Sequence, residues 1–474
     1  MKKIFKQSAL ILGIGAMTLV GCKKDSDQSG NFNKAANAGS MTNGRPCESI
    51  PVDANGIITV SSLDNDHNWK LDGVAYVAPG NTLTIEQGAV IVTGATKTYN
   101  DPLFGPQTLA GVLVVPVGAK IEAIGTASEP IIFTTPQRAG CSGAGCNIAG
   151  NFGGVVILGD ATINQGPTRI EGVPQPAGAS LLYGGSDDTD DSGTLRYVRI
   201  EFPGYRLDAD NEINGLTLGG VGSGTELSNI QVSYSADDSF EFFGGTVNAD
   251  HLVALASDDD DFDFDLGYKG TINFALGLKN PNSTHSTSGG SSDSNGIESD
   301  NNAGGSTTTV ITKPVLRHFT LLGYATSGST TLANGNRWRR ATGLDIQQSV
   351  IAGFPTGAVF QNITAAGSVF DDNIVHAYTT ISSNIGGNPA TFSILPAEQS
   401  TAATANSYLL LGPALGSAPF LTCANSSTYN PAHLIPRTGS PAFGTATTFK
   451  GAFQPGVTAW TATWTDFNPG FCCN

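Results

Sequence analysis

One repeat limits the folds open to this chain more than any other feature. Residues 228–247 (SNIQVSYSADDSFEFFGGTV) can be laid on 249–270 (ADHLVALASDDDDFDFDLGYKG). Ile230 then falls on Leu252 and Phe240 on Phe262, both at an offset of 22 residues, and the same offset carries Leu252 onto Phe274. Two separate strand segments share one period, so the chain advances in coils rather than hairpins. The strand pattern recurs in LRYVRIEF from Leu195, PVLRHFTLLG from Pro314, GLDIQQSVIAG from Gly343 and GSVFDDNIV from Gly367. Nearer the start, residues 81–92 and 111–135 share a strand, glycine turn, strand order.

Short strands about 22 residues per coil with Gly and Asn corners predict an all-β parallel β-helix, in which each coil buries its apolar face by stacking on its neighbours. A sandwich would show hairpin signals, and a propeller would repeat every ~40–50 residues. Composition agrees: there are 60 glycines, and charged residues make up only 14%, against a usual ~25%. The solenoid is expected over residues 47–378, with loops leaving it at 93–108, 136–151, 203–212, 280–294 and 301–312. Beyond 379 the period fades, which predicts terminal coils and a cap over residues 379–474 shielding the last coil's edge.

The first residues suggest export. Lys2, Lys3 and Lys6 precede an apolar run, Ala9 to Val20, too short to span a bilayer. The run ends in LVGC, which resembles a bacterial lipobox with Cys22 as the acylated residue. This reading makes 1–21 a lipoprotein signal peptide and 22–46 a flexible polar tether. The KKDSD that begins at Lys23 resembles the acidic signal of surface-exported lipoproteins in Bacteroidota. The resemblance implies an outer-membrane lipoprotein facing the exterior. Six further cysteines (47, 141, 146, 423, 472 and 473) suit disulfides in an exported chain. They allow fifteen connectivities; Cys141 and Cys146 could close on each other through the glycines between them, and Cys423 could reach one of the terminal pair. Removing three of 24 basic residues with the leader leaves 21 against 40 acids, so the mature charge is −19. Nucleic acid and anionic membrane surfaces are excluded as partners on that charge; cations and neutral or basic ligands are permitted.

GAKIEAIGTASEPIIFTT, DDSFEFFGGTV, DDDFDFDLGYKG, SDSNGIESDNN and the closing GSPAFGTATTFKGAFQPGVTAWTATWTDFNP resemble the surface β-helix lipoproteins of Bacteroidota. The resemblance implies the right-handed, pectate-lyase-like fold over most of residues 74–469 and implies no particular activity.

The acidic residues carry the chemistry. In DFDFD (Asp261 to Asp265) the alternation puts Phe262 and Phe264 on one face and the carboxylates on the other. The repeat sets Glu241 beside Asp263. Placing Ile297 on Phe262 sets Glu298 beside Asp263, and placing Trp338 on Ile297 brings Arg339 beside Glu298. Acids spaced ~4.8 Å apart along the axis raise one another's pKa or attract a cation. With Asp238, Asp260, Asp261 and Asp265 at the turns and strand end, the oxygen-rich set suits Ca²⁺. An EF-hand fails, because counting from Asp261 positions six and twelve are Leu266 and Ile272. The expected metal residues are therefore Asp238, Glu241, Asp260, Asp261, Asp263, Asp265 and Glu298, with a solvated acidic face as the plain alternative. Two functions follow. One is a non-catalytic binding or adhesion module for glycans or another extracellular ligand. The other is a polysaccharide lyase or glycosidase using Asp263, Glu298 and Arg339, or Arg340 if the register slips. The six histidines are scattered, and no Walker loop, HExxH, GxSxG or dinucleotide fingerprint occurs.

Overall fold

The computed structural model describes residues 44–470 except 143–146, 209–210, 289–290, 307–308, 329–330, 365 and 386–398. The leader, Cys22, most of the tether, Cys146, Cys472 and Cys473 lie outside the described residues. Each coil contributes strands to three parallel stacks, called here the first, second and third sheets in chain order along a coil. The first runs from Ser62–Leu63 through Thr82–Ile85 and Lys120–Ile124 to Val369–Asp371. The second runs from Asn68–Leu71 through Val90–Thr93 and Ile131–Thr134 to Ile374–His376. The third runs through Val74–Tyr76, Val112–Val115, Gly154–Leu158, Leu216–Gly219, Phe240–Phe243, Phe262–Asp265, Ile297–Ser299 and Asn334–Trp338. The parallel β-helix expected from the repeat is therefore the observed fold.

A single left-handed residue turns the chain from the first sheet into the second. Tyr197, Asn229, His251, Phe274, His318, Gln348 and Asp372 occupy this corner with φ between 52° and 58°. Non-glycine residues there carry strain of roughly 1–2 kcal/mol each, offset by ring stacking: His251 to Phe274 at 5.1 Å and Phe274 to His318 at 5.0 Å. This corner corrects one expectation. Leu252 pairs with Ala275, not Phe274, because the turn after Asp265 is one residue longer than the turn after Phe243.

Alternation drives the core. Phe240 and Phe262 point inward and stack at 5.3 Å with 7° between planes, and Phe264 lies on Tyr268 at 5.4 Å. Trp338 joins the same core with no exposed surface.

The expected terminal cap has a different geometry. Residues from Phe449 onward return along the flank of the solenoid as a strap over the left-handed corner. Phe449 stacks on His318, Trp460 meets His251 edge-on, and Trp464 meets Tyr197 edge-on. Further back, Asp466 pairs with Arg138 and exchanges hydrogen bonds with the Gln231 side chain. Apolar surface on the second sheet's outer face, including Leu276, Leu278 and Leu322, is buried beneath this strap and residues 405–442. At the other end Cys47 bonds to Cys141. That pairing rules out closure of Cys141 on Cys146: it ties the solenoid's first strand to a loop 94 residues away, where closing a long loop restrains the unfolded chain more.

Candidate metal centre on the third sheet

The outward-facing row of the third sheet changes character along the axis. Tyr76, Val114 and Val156 are buried under hairpin loops that include Lys97–Asp101 with Gly105–Leu109. The same row continues as Thr217, Glu241, Asp263, Glu298 and Arg337, then Val359. The pairing of Glu241 with Asp263 and of Asp263 with Glu298 is as expected from the repeat. The next step is not: Arg337, rather than Arg339, sits opposite Glu298, and Trp338 opposes Ser299 instead of Ile297. The displacement is two residues, an even number, so inward and outward faces are kept. Arg339 still reaches Glu298 from two residues further along, and its Nε donates to Asp300 at 2.8 Å.

Where the second sheet turns into the third, side chains form a ladder that the sequence reading missed. Asn214 Oδ1 accepts the Asp238 N–H at 3.2 Å, Asp238 Oδ1 accepts the Asp260 N–H at 2.8 Å, and Asp260 Oδ1 accepts the Asn295 N–H at 2.6 Å. Asn295 Oδ1 then accepts from Asn334. Short Asn and Asp side chains satisfy turn amides where no strand is available. The signal is legible afterwards: each ladder residue stands two positions before an inward strand residue, in NGL, DSF, DDF, NGI and NGN. Asp238 and Asp260 are thus partly committed to the backbone.

Asp238, Glu241 and Asp263 bring carboxylate oxygens within 4.8 Å of one another, and so do Asp237, Asp238 and Asp259. Asp238 belongs to both triads and joins five carboxylates into one group. Asp238 and Glu241 are 8% and 6% exposed, so water does little to shield them. Burial, reinforced by Asp237, Asp260 and Asp259, pushes the Asp238 carboxyl well above its ordinary range. Burial together with Asp263 and Glu171 does the same to Glu241, and burial together with Glu298 and Asp300 raises Asp263. Burial also lifts Asp260, with Asp259 and Glu298 adding to it. The Asn214 side-chain amide donates to Glu241.

Four of the expected metal residues lie outside the two triads. Asp260 holds the Asn295 amide in the ladder. Asp261 is fully buried away from the group, paired with Lys279. Glu298 faces Arg337 and Arg339, and burial still lifts it to about 8. Asp265 lies at the edge, its Oδ1 accepting the Leu266 N–H at 2.6 Å, and burial pushes it up to about 7. A group of oxygen donors without nitrogen or sulfur fits Ca²⁺ or Mg²⁺, and Asp238, Glu241 and Asp263, with Asp237 and Asp259, are the residues that would hold the ion.

Two clefts open on this face. One, of about 520 Å³, includes Arg169, Glu171, Tyr183, Phe243 and Asp265 in its lining. The other, of about 460 Å³, includes Asp293, Asn334, Arg337, Arg339, Val359 and Gln361. Glu241 and Asp263 stand on the strands that lead into the first cleft, and Asp237, Asp238 and Asp259 in the turns before those strands.

A family model described as pectate-lyase like beta helix domain matches residues 56–406. The chain belongs to this family. The match covers all three sheets and the whole acidic row. Searches of curated proteins and of solved structures each returned no match. Membership of this β-helix family therefore accounts for the scaffold, and the chemistry has to be argued from the row itself.

Proposed function

We propose that this β-helix is a lipid-anchored, surface-facing binding module that holds a calcium ion on its third sheet and takes a carbohydrate in the flanking clefts. One observation carries the reading: three carboxylates, two of them buried, meet within 4.8 Å. Like charges so placed stay ionised together only when a cation neutralises them. Anchoring at Cys22 is read from the LVGC motif, and the carbohydrate from the two clefts that flank the acidic group, whose mixed polar and apolar linings suit a sugar's hydroxyls and ring faces. The experiment is thermal unfolding of the full chain with added calcium and with EDTA, followed by a glycan-array screen. Calcium should raise the midpoint in the parent and not in Asp263→Ala. Coincident midpoints in the parent would remove the metal from this proposal.

The lyase reading finds less support. A base must shed its proton near the working pH. Burial works against the Arg339 charge, yet Glu298 and Asp300 outweigh it and hold the guanidinium above its usual range. Arg339 is thus fixed as a cation that positions Glu298. Calcium-dependent release of unsaturated products from a uronate polymer would reverse this ranking.

A further inference from the structure

Behind the acidic group, on the other side of the turn, lies a buried amine and carboxylate that the binding reading does not use. The residue that follows each second-sheet strand forms a column: Phe202, Tyr234, Ala256, Lys279. The first two rings stack at 5.7 Å. A lysine in fourth place interrupts an apolar column, and Lys279 and Asp261 both have 0% of their surface exposed. Lys279 Nζ lies 3.2 Å from Asp261 Oδ1. The other carboxylate oxygen, Asp261 Oδ2, is buried without a hydrogen-bond partner among the described residues. Gly277 makes this fit possible, since a Cβ there would come within 2.4 Å of that oxygen. As an ion pair the arrangement is poor, because desolvation of both charges offsets most of their attraction and one acceptor goes unused.

Ser257 completes the geometry. Its hydroxyl donates to Asp261 Oδ1 at 2.7 Å and accepts from Lys279 Nζ at 3.1 Å. The Asp259 carbonyl accepts a second N–H from the same amine. The hydroxyl therefore bridges the nitrogen and the oxygen between which protons must pass if the two groups condense. We propose that Lys279 and Asp261 form an intramolecular isopeptide bond, with Ser257 as the proton relay. The Nζ lone pair attacks Asp261 Cγ. Protons leaving nitrogen reach Oδ1 through the Ser257 hydroxyl, and the Cγ–Oδ1 bond breaks to release one water. Nothing is oxidised or reduced, and no co-reactant is needed. Two reactants fixed in contact have effective molarities far above any in solution, and exclusion of bulk water disfavours hydrolysis of the amide. The product ties the corner of one coil covalently to the turn that carries Asp259 and Asp260.

The test is tryptic mapping of the denatured full chain by mass spectrometry. The expected result is a branched species that joins the peptide containing Asp261 to the one containing Lys279, lighter than their sum by one water, with no cleavage after Lys279. Separate peptides with cleavage after Lys279 would overturn the proposal. Asp261→Asn should give the same branched species by losing ammonia instead of water. Ser257→Ala, which leaves amine and acid in place, should slow its appearance at least tenfold in freshly folded chain; an unchanged rate would overturn the relay. Lys279→Met should yield no branched species, and one found there would place the cross-link elsewhere.

Discussion

Two groups of buried carboxylates lie on different sides of this solenoid, and although burial disfavours the charge in both, their carboxyls shift in opposite directions. Beneath the strap, Glu201 and Asp466 meet Arg138, whose Nε donates to Glu201 at 2.6 Å, with Arg199 close by. There burial opposes the Asp466 charge, but the two arginines outweigh it and hold the carboxyl below its usual range. On the third sheet Asp238, Glu241 and Asp263 meet within 4.8 Å, no ion pair to a basic side chain joins them among the described residues, and all three are raised, the pull of Arg339 on Asp263 being outweighed. The first group is complete within the chain. The second is completed only by protons or by an ion from outside. Partners, rather than burial, separate the two groups.

The sharpest way to break this contrast is to remove a charge from each. Arg138→Ala leaves buried carboxylates unpaired and should cost about 3–5 kcal/mol in urea unfolding. Asp263→Asn, measured without metal, should instead raise the urea midpoint, because burial and its acidic neighbours make the Asp263 carboxyl costly to ionise. A loss in both variants would mean the two groups are alike.

Calcium provides the next largest effect. At ~100 times its dissociation constant it should add about 2.7 kcal/mol to stability, and Glu241→Gln should abolish most of that gain. Because the metal must displace protons from raised carboxyls, calorimetry in buffers of different ionisation enthalpy should detect proton release.

Acidity should move the two groups oppositely. Asp265 and Glu298 titrate at about 7 and about 8 in the folded chain, above the unfolded carboxyl values, so the native state binds more protons across that window. Metal-free stability therefore falls as pH rises from about 4 to about 8, by up to roughly 1.4 kcal/mol per carboxyl for each pH unit between its unfolded and folded values. Calcium should flatten the part of the fall contributed by Asp238, Glu241 and Asp263, which are raised as well. Asp466 has the reverse sign: its contribution is present above the unfolded carboxyl pKa and is lost as pH drops through its lowered folded value. Urea midpoints at pH 3, 5 and 8, with and without calcium, separate the two. Trp460→Ala, which removes the contacts with His251, Phe453 and Trp464, should cost about 0.5–1.5 kcal/mol for each aromatic pair lost. Hydrogen exchange should then open residues 449–466 before the sheets.

Periodicity made the third sheet legible. Phe240 and Phe262 announce themselves as one inward position on successive coils, and Glu241 and Asp263 follow by alternation. What the sequence concealed were breaks in period. The 266–270 turn is one residue longer than its predecessor, which displaced Phe274. Between Ile297 and Trp338 the loops interrupt counting, which put Arg339 where Arg337 belongs. Long-range closures were hidden for a different reason. Asp466 meets Arg138 across 328 residues, and no local pattern encodes such a meeting. The Asn and Asp ladder was written in the chain but obscured, since Asp238 and Asp260 looked like more of the acid run.

The strap also fixes the number of coils. Solenoids ordinarily tolerate gain or loss of whole repeats, because each contacts only its neighbours. Here Phe449, Trp460, Trp464 and Asp466 engage His318, His251, Tyr197 and Arg138 in reverse chain order. A segment of set length thus acts as a ruler laid along the axis. Duplicating one 22-residue coil between Tyr197 and His318 would lengthen that axis by ~4.8 Å and throw the contacts beyond it out of step. Growth by repetition is therefore confined to coils the strap does not measure.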